Sequence, residues 1–219
     1  MTAVGGPLEL LCHRGLWQHS GERNTLAAFR AAWDAGWGIE TDLRDDRGRV
    51  VISHDPARGD ELTLDDLLIE HARRGRQTLL ALNVKADGLA AAVAAAIAAH
   101  GTPRCFVFDM SVPDMFAWAD AGVALYTRWS DVEPDPVLLD RSTGLWLDGM
   151  ERDWWAVESV RARLAEGSSV AVVSPELHGR DPGTVWPRVA DLAVDPRRTG
   201  SLFLCTDRPY DAVKEVGGA

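Results

Sequence analysis

The chain has 219 residues, 46% of them hydrophobic, enough for one domain with a sizeable core. Its net charge of −10 and pI near 5.0 argue against a nucleic-acid binder, which normally carries a basic patch. No run approaches 18 uncharged apolar residues, and residues 1–7 lack a basic stretch leading into an apolar one, so neither a transmembrane segment nor a signal peptide is expected.

Short apolar runs alternate with amphipathic stretches along the whole chain. The strand candidates are residues 8–12, 38–43, 50–53, 79–84, 105–108, 123–127, 144–147, 169–174 and 201–205. Most read as continuous hydrophobic segments, the pattern of parallel strands covered on both faces. Helices fall between them. Asn24 or Thr25 caps one that runs to Asp34, and Thr63 with Asp66 opens residues 64–73. The alanine-rich stretch 89–99 is too short for a membrane span and reads as a surface helix. Ser111 with Pro113 opens a further helix that Gly122 closes; residues 152–166, 185–192 and 209–216 complete the set.

This βα alternation predicts a parallel α/β fold in a single domain over residues 1–219. Residues 44–49, with a turn signal at Gly48, are too few for a parallel crossover, so the second and third strands are either a hairpin or one bent excursion at the barrel rim. Setting that excursion aside leaves eight strands, the number a (β/α)8 barrel needs. An open doubly wound sheet is the alternative. Cys12, Cys105 and Cys205 are odd in number, far apart and set in apolar runs. They read as buried free thiols, which implies a reducing, cytoplasmic setting.

The predicted strand ends are polar, and in a parallel barrel chemistry collects at the C-terminal ends of strands. The first ends in His13-Arg14-Gly15, the second carries Glu40 and Asp42, and the third ends in His54-Asp55. Asn83 and Lys85 follow, then Asp109, Arg128, Asp148, Glu176 and Asp207. Glu40 and Asp42 are two apart on a strand and share a face, where two carboxylates repel unless a cation or proton lies between them. Hard oxygen donors suit Mg²⁺ or Ca²⁺ better than zinc. His13 and His54 supply a base for a nucleophile and an acid for a leaving oxygen, and Arg14 and Lys85 would surround phosphoryl oxygens. His19, His71, His100 and His178 read as structural.

The stretches His13-Arg14-Gly15, Asn24-Thr25-Leu26-Ala27-Ala28-Phe29, Gly38-Ile39-Glu40-Thr41-Asp42 and Val51-Ile52-Ser53-His54-Asp55 resemble, in order and spacing, the signature of glycerophosphodiester phosphodiesterases. Leu82-Asn83-Val84-Lys85 and Cys205-Thr206-Asp207-Arg208-Pro209 extend the likeness more weakly. Sphingomyelinase D toxins look similar over the same half. The resemblance implies a TIM barrel and a metal bound by Glu40 and Asp42. It implies His13 and His54 as the acid–base pair, and a phosphodiester substrate such as a glycerophosphodiester held by Arg14 and Lys85.

Two departures stand out. Asn83 occupies the place where the family usually has a third acidic ligand; its amide oxygen can coordinate a hard cation but brings no charge. Only residues 56–62 separate the His54-Asp55 motif from the next helix, where family members generally carry a small insertion. The phrases Leu82-Asn83-Val84-Lys85-Ala86-Asp87-Gly88-Leu89, Phe108-Asp109-Met110-Ser111-Val112-Pro113-Asp114 and Gly144-Leu145-Trp146-Leu147-Asp148 are similar to a divergent bacterial branch. That branch is linked to lipid or surface-polysaccharide metabolism, and in it Asn83 is the normal residue. Asp109 and Asp148 are then candidate additions to the site. The alternatives are a non-catalytic barrel that binds a phosphorylated ligand, and a Schiff-base lyase built on Lys85.

Overall fold

The computed structural model describes residues 6–75 and 77–217. The strands are β1 (Glu9–His13), β2 (Gly38–Asp46), β3 (Arg49–Ile52), β4 (Leu80–Val84), β5 (Cys105–Phe108), β6 (Tyr126–Ser130), β7 (Gly144–Asp148), β8 (Ser169–Val173) and β9 (Leu202–Thr206). The helices are α1 (Leu26–Asp34), α2 (Leu64–Arg73), α3 (Ala90–Ala99), α4 (Val112–Ala121), α5 (Val157–Ala165), α6 (Trp186–Ala193) and α7 (Pro209–Val216). Among the described residues eight strands run parallel with helices between them, except that only a short 3-10 turn at Leu139–Arg141 joins β6 to β7, and β3 runs antiparallel as a hairpin on β2. The fold is a (β/α)8 barrel with little inserted between β3 and α2.

The chain clusters into two compact units. The first holds the residues up to Cys12 and those from Tyr126 onward; the second is His13–Leu125. In the second, β4 lies between β2 and β5, with Asp42 in register with Asn83 and Asn83 in register with Phe108. Parallel register puts the side chains of Asp42 and Asn83 on one face. In the first, β1, β9, β8, β7 and β6 pair in that order. Strands of both units are buried almost throughout, which is why the sequence shows unbroken apolar runs rather than alternation.

Local chemistry sets the element ends. Thr25 accepts the Ala28 N–H and caps α1, so of the two predicted caps it is Thr25 that serves. Thr63 and Asp66 form a reciprocal capping box on α2, and Ser111 caps α4, which ends at Gly122 in the left-handed region. Two elements differ from expectation. The strand predicted at 123–127 lies at Tyr126–Ser130 and continues through Arg128, whose guanidinium is paired with Glu133 and so does not break the run. The helix predicted from 152 begins at Val157. The Asp131 carboxylate accepts the backbone N–H groups of Met150, Glu151 and Arg152, holding that segment in a loop. Among the described residues no helix is long and apolar enough to cross a membrane.

Candidate active site

The site is built in the unit His13–Leu125. Just beyond β1 the chain turns through two left-handed residues, Arg14 (φ 57°) and Gly15 (φ 89°). A Cβ on Gly15 would lie 2.8 Å from the Ala28 side chain, so only glycine allows this turn to pack on α1. The turn aims the Arg14 backbone N–H at Glu40, 2.9 Å from its carbonyl oxygen and 3.3 Å from Oε2. The Arg14 side chain reaches Asp42, with Nε 3.0 Å from Oδ2.

Glu40 and Asp42 are 2% and 0% exposed. Burial, and then the neighbouring Asp42, push the Glu40 carboxyl up to about 7, against the opposing pull of His13, Lys85 and Arg14. His13 Nε2 lies 4.0 Å from Glu40 Oε2. From β4, Lys85 Nζ sits between two carboxylates, 3.6 Å from Asp42 Oδ1 and 3.8 Å from Asp109 Oδ2. Asp109 follows β5 with φ 70°, a left-handed turn that an aspartate tolerates better than most residues. His13, Arg14, Glu40, Asp42, Asn83, Lys85 and Asp109 are therefore gathered as neighbours.

His54 lies on the exposed segment after β3, 47% exposed, with Nδ1 2.9 Å from Asp55 Oδ1. That pair holds the Asp55 carboxyl below the ordinary range, chiefly through the hydrogen bond from His54. The segment is tied to the site because Ser53 N–H donates to the Asp42 carbonyl at 3.1 Å, and the Arg44 guanidinium donates to the His54 carbonyl at 2.9 Å. His54, Asp55 and Arg14 line one cleft of about 800 Å³, together with Arg23, Asn24 and Arg58.

The donor set suits a hard cation. Asp42 Oδ1 and Asn83 Oδ1 are buried without hydrogen-bond partners, on register-paired residues beside the Glu40 carboxylate. An unmade hydrogen bond on a buried oxygen costs about 1–3 kcal/mol, so these orphaned atoms call for a partner. No cluster of three His, Cys, Asp or Glu side chains poised to hold a metal exists among the described residues; beside the two acids, the Asn83 amide oxygen is the further atom that could serve as a donor.

Asp148 belongs to the other unit. There its Oδ1 is 2.8 Å from His178 Nε2, and the hydrogen bond raises the imidazole above its ordinary value despite partial burial. His178 is thus one half of a histidine–aspartate pair, a contact compatible with the structural role expected of it. Trp154 Nε1 donates to the Asp148 carbonyl at 2.7 Å, fixing that strand end. Asn24, read from the sequence as a helix cap and as part of the resembling stretch Asn24–Phe29, was given no place in the site. Its Nδ2 is 2.9 Å from Asp42 Oδ2. The signal was its place directly before the true cap, where a left-handed φ of 59° turns its side chain away from the helix end.

No family model matches the sequence, and no curated protein resembles it closely enough to match. Solved structures do. A crystal structure assigned as a glycerophosphodiester phosphodiesterase of Galdieria sulphuraria superposes with a TM-score of 0.76 at 16% identity, covering 98% of this chain and 99% of that one. The glycerophosphodiester phosphodiesterase of Agrobacterium tumefaciens gives 0.68 at 18% identity, over 96% and 100% of the two chains. A glycerophosphoryl diester phosphodiesterase of Parabacteroides distasonis gives 0.67 at 14% identity, over 96% and 86%. At these identities the likeness establishes a shared (β/α)8 barrel fold spanning nearly the full length of each chain.

Proposed function

We propose that this chain is a phosphodiesterase acting on a small phosphodiester of the glycerophosphodiester kind with the help of a divalent cation. The observation that carries the reading is the gathering of His13, Arg14, Glu40, Asp42 and Lys85 around one volume. The solved structures of the same fold that bear the phosphodiesterase name support it independently.

Glu40, Asp42 and the Asn83 amide oxygen would hold Mg²⁺ or Ca²⁺. When bound, the ion would neutralise phosphoryl oxygens and lower the barrier to attack at phosphorus. The chain's own residues do the rest. Asp42 and Asp109 face two permanent cations, Arg14 and Lys85, while Glu40, pushed up to about 7, is only partly ionised near neutrality and would be drawn fully into its carboxylate form by a bound cation. Arg14 presents a guanidinium fork and Lys85 a point charge to the non-bridging oxygens.

His13, beside Glu40, and His54, beside Asp55, are the two proton-transfer groups. Donation through Nδ1 to Asp55 would leave the His54 Nε2 as an acceptor, the arrangement a general base needs. One imidazole takes the proton of the attacking hydroxyl, and the other delivers a proton to the leaving alkoxide. If the attacking hydroxyl belongs to the substrate, the first product is a cyclic phosphate; if it is water, a monoester. Phosphorus NMR of the products distinguishes them.

The three cysteines are free, and two are buried, in keeping with a reducing compartment. Lys85 lies between two carboxylates rather than in an apolar pocket, which disfavours a Schiff-base role. One observation favours a second reading: with Asn83 neutral, the barrel would bind a phosphorylated ligand without turnover. Assays of glycerophosphodiesters, lysophospholipids and sugar phosphodiesters with Mg²⁺, Ca²⁺ and Mn²⁺ test the proposal. Cation-dependent release of an alcohol, abolished by chelator, supports it; binding with no turnover of any substrate supports the second reading.

A further inference from the structure

Helix α1 is capped by Thr25, so the side chain of Asn24 is not spent on the helix. It is spent on β2. Asn24 Nδ2 donates to Asp42 Oδ2 at 2.9 Å, and Asn24 Oδ1 accepts from the Thr41 hydroxyl at 2.9 Å. Thr41 and Asp42 are adjacent on the strand, so the one amide bridges two successive side chains of β2. Its backbone is fixed as well, because the Asn24 N–H donates to the Arg14 carbonyl at 3.0 Å.

The amide has one permitted orientation. Thr41 is fully buried and its hydroxyl proton has to be accepted, which places Oδ1 toward it. The NH₂ group then faces the Asp42 carboxylate, where an oxygen would be repelled. The consequence falls on Asp42. Its Oδ2 accepts from the Asn24 amide and is ion-paired with Arg14 Nε at 3.0 Å, while Oδ1 is buried with no hydrogen bond, 3.6 Å from Lys85 Nζ. The two carboxylate oxygens are thus made unequal, one hydrogen-bonded and the other facing only the Lys85 ammonium.

We propose that Asn24 is a positioning residue: its side-chain amide fixes which oxygen of Asp42 is turned to the reacting volume, and Thr41 fixes the amide. The proposal rests on the phosphodiesterase reading for its effect on turnover, but not for its effect on Asp42.

Asn24→Gly keeps the left-handed backbone and deletes only the amide. Thr41→Val removes the hydroxyl that orients it, and Thr41→Ser retains that hydroxyl. Calorimetric titration of Mg²⁺ and Ca²⁺ is expected to show affinity reduced roughly 10- to 100-fold in Asn24→Gly, with a smaller loss in Thr41→Val. Thr41→Ser should recover most of it. The loss should appear in kcat, with KM for the phosphodiester little changed and melting temperature within a few degrees of the parent. Affinity and kcat within twofold of the parent in both Asn24→Gly and Thr41→Val would overturn the proposal, as would Thr41→Ser failing as badly as Thr41→Val. Crystal structures of parent and Asn24→Gly decide the same question if the parent neither binds cation nor turns over, the outcome that defeats the phosphodiesterase reading alone. An Asp42 carboxylate rotated in the variant sustains the role of Asn24; one that has not moved refutes it.

Discussion

Arg14 Nε lies 3.0 Å from Asp42 Oδ2, joining the turn after β1 to the face of β2 that carries both buried acids. The same residue donates its backbone N–H to Glu40, so Arg14 organises the pair of acids, and the proposed function would also have it meet a phosphate. Arg14→Ala is expected to lower kcat/KM on the order of 100-fold or more, the usual cost of deleting a donor aimed at developing charge. Arg14→Lys keeps the charge but not the fork, and should recover only a small part. Steady-state kinetics on the best phosphodiester checks both.

Lys85 serves two carboxylates at once, at 3.6 Å from Asp42 and 3.8 Å from Asp109. Lys85→Met should reduce turnover on the order of 100-fold. Asp109→Asn leaves Lys85 its partner on β2 and should cost less than tenfold. A kinetic comparison in which Asp109→Asn is the worse of the two would assign Asp109, not Lys85, the direct role.

Gly15→Ala tests the turn on which this geometry depends. The added methyl would lie 2.8 Å from the Ala28 Cβ, at a φ of 89° that alanine avoids. A loss of about 2 kcal/mol or more follows from strain and overpacking together. For a chain of this size that lowers the melting temperature by roughly 4–8 °C, which calorimetry measures.

The fold was legible because parallel strands buried on both faces leave unbroken apolar runs, and because Thr63, Ser111 and Gly122 mark helix ends by their own chemistry. The hairpin of β2 and β3 followed from a connection too short to cross over. The start of α5 was not legible: Asp131, far from it in sequence, ties down the N–H groups that would have begun the helix. Residues of the site announced themselves where charge falls inside an apolar strand, as at Glu40, Asp42 and Lys85. Asn24 stood in a stretch of the family resemblance, but its own chemistry named no role in the site, since an asparagine beside a helix start already has an ordinary explanation in capping. His178 was unreadable for a similar reason, because its partner Asp148 is 30 residues away and only folding joins them.

The His178–Asp148 pair carries a pH dependence of definite sign. The hydrogen bond to Asp148 raises the imidazole above its ordinary 6.5, so the folded chain holds that proton more tightly than the unfolded one. The resulting stabilisation is fully present below the unfolded value and is lost as pH rises through the raised folded value. NMR titration should place His178 above the ordinary value in the parent and lower in Asp148→Asn. The fall in melting temperature between pH 6 and pH 8 should be shallower in that variant. An unchanged titration would dissociate the two residues in solution.

The convergence of His13, Glu40, Asp42 and Lys85 on one reacting volume is tested most directly by a cation titration of phosphodiester cleavage, run on the parent and on Glu40→Gln, Asp42→Asn and His13→Ala. Saturable activation by Mg²⁺ or Ca²⁺ is expected in the parent. The two acid variants should require far more cation for any remaining activity, and His13→Ala should bind the cation yet turn over on the order of 100-fold more slowly. Cleavage that ignores added cation and chelator, and survives loss of either acid, would contradict it.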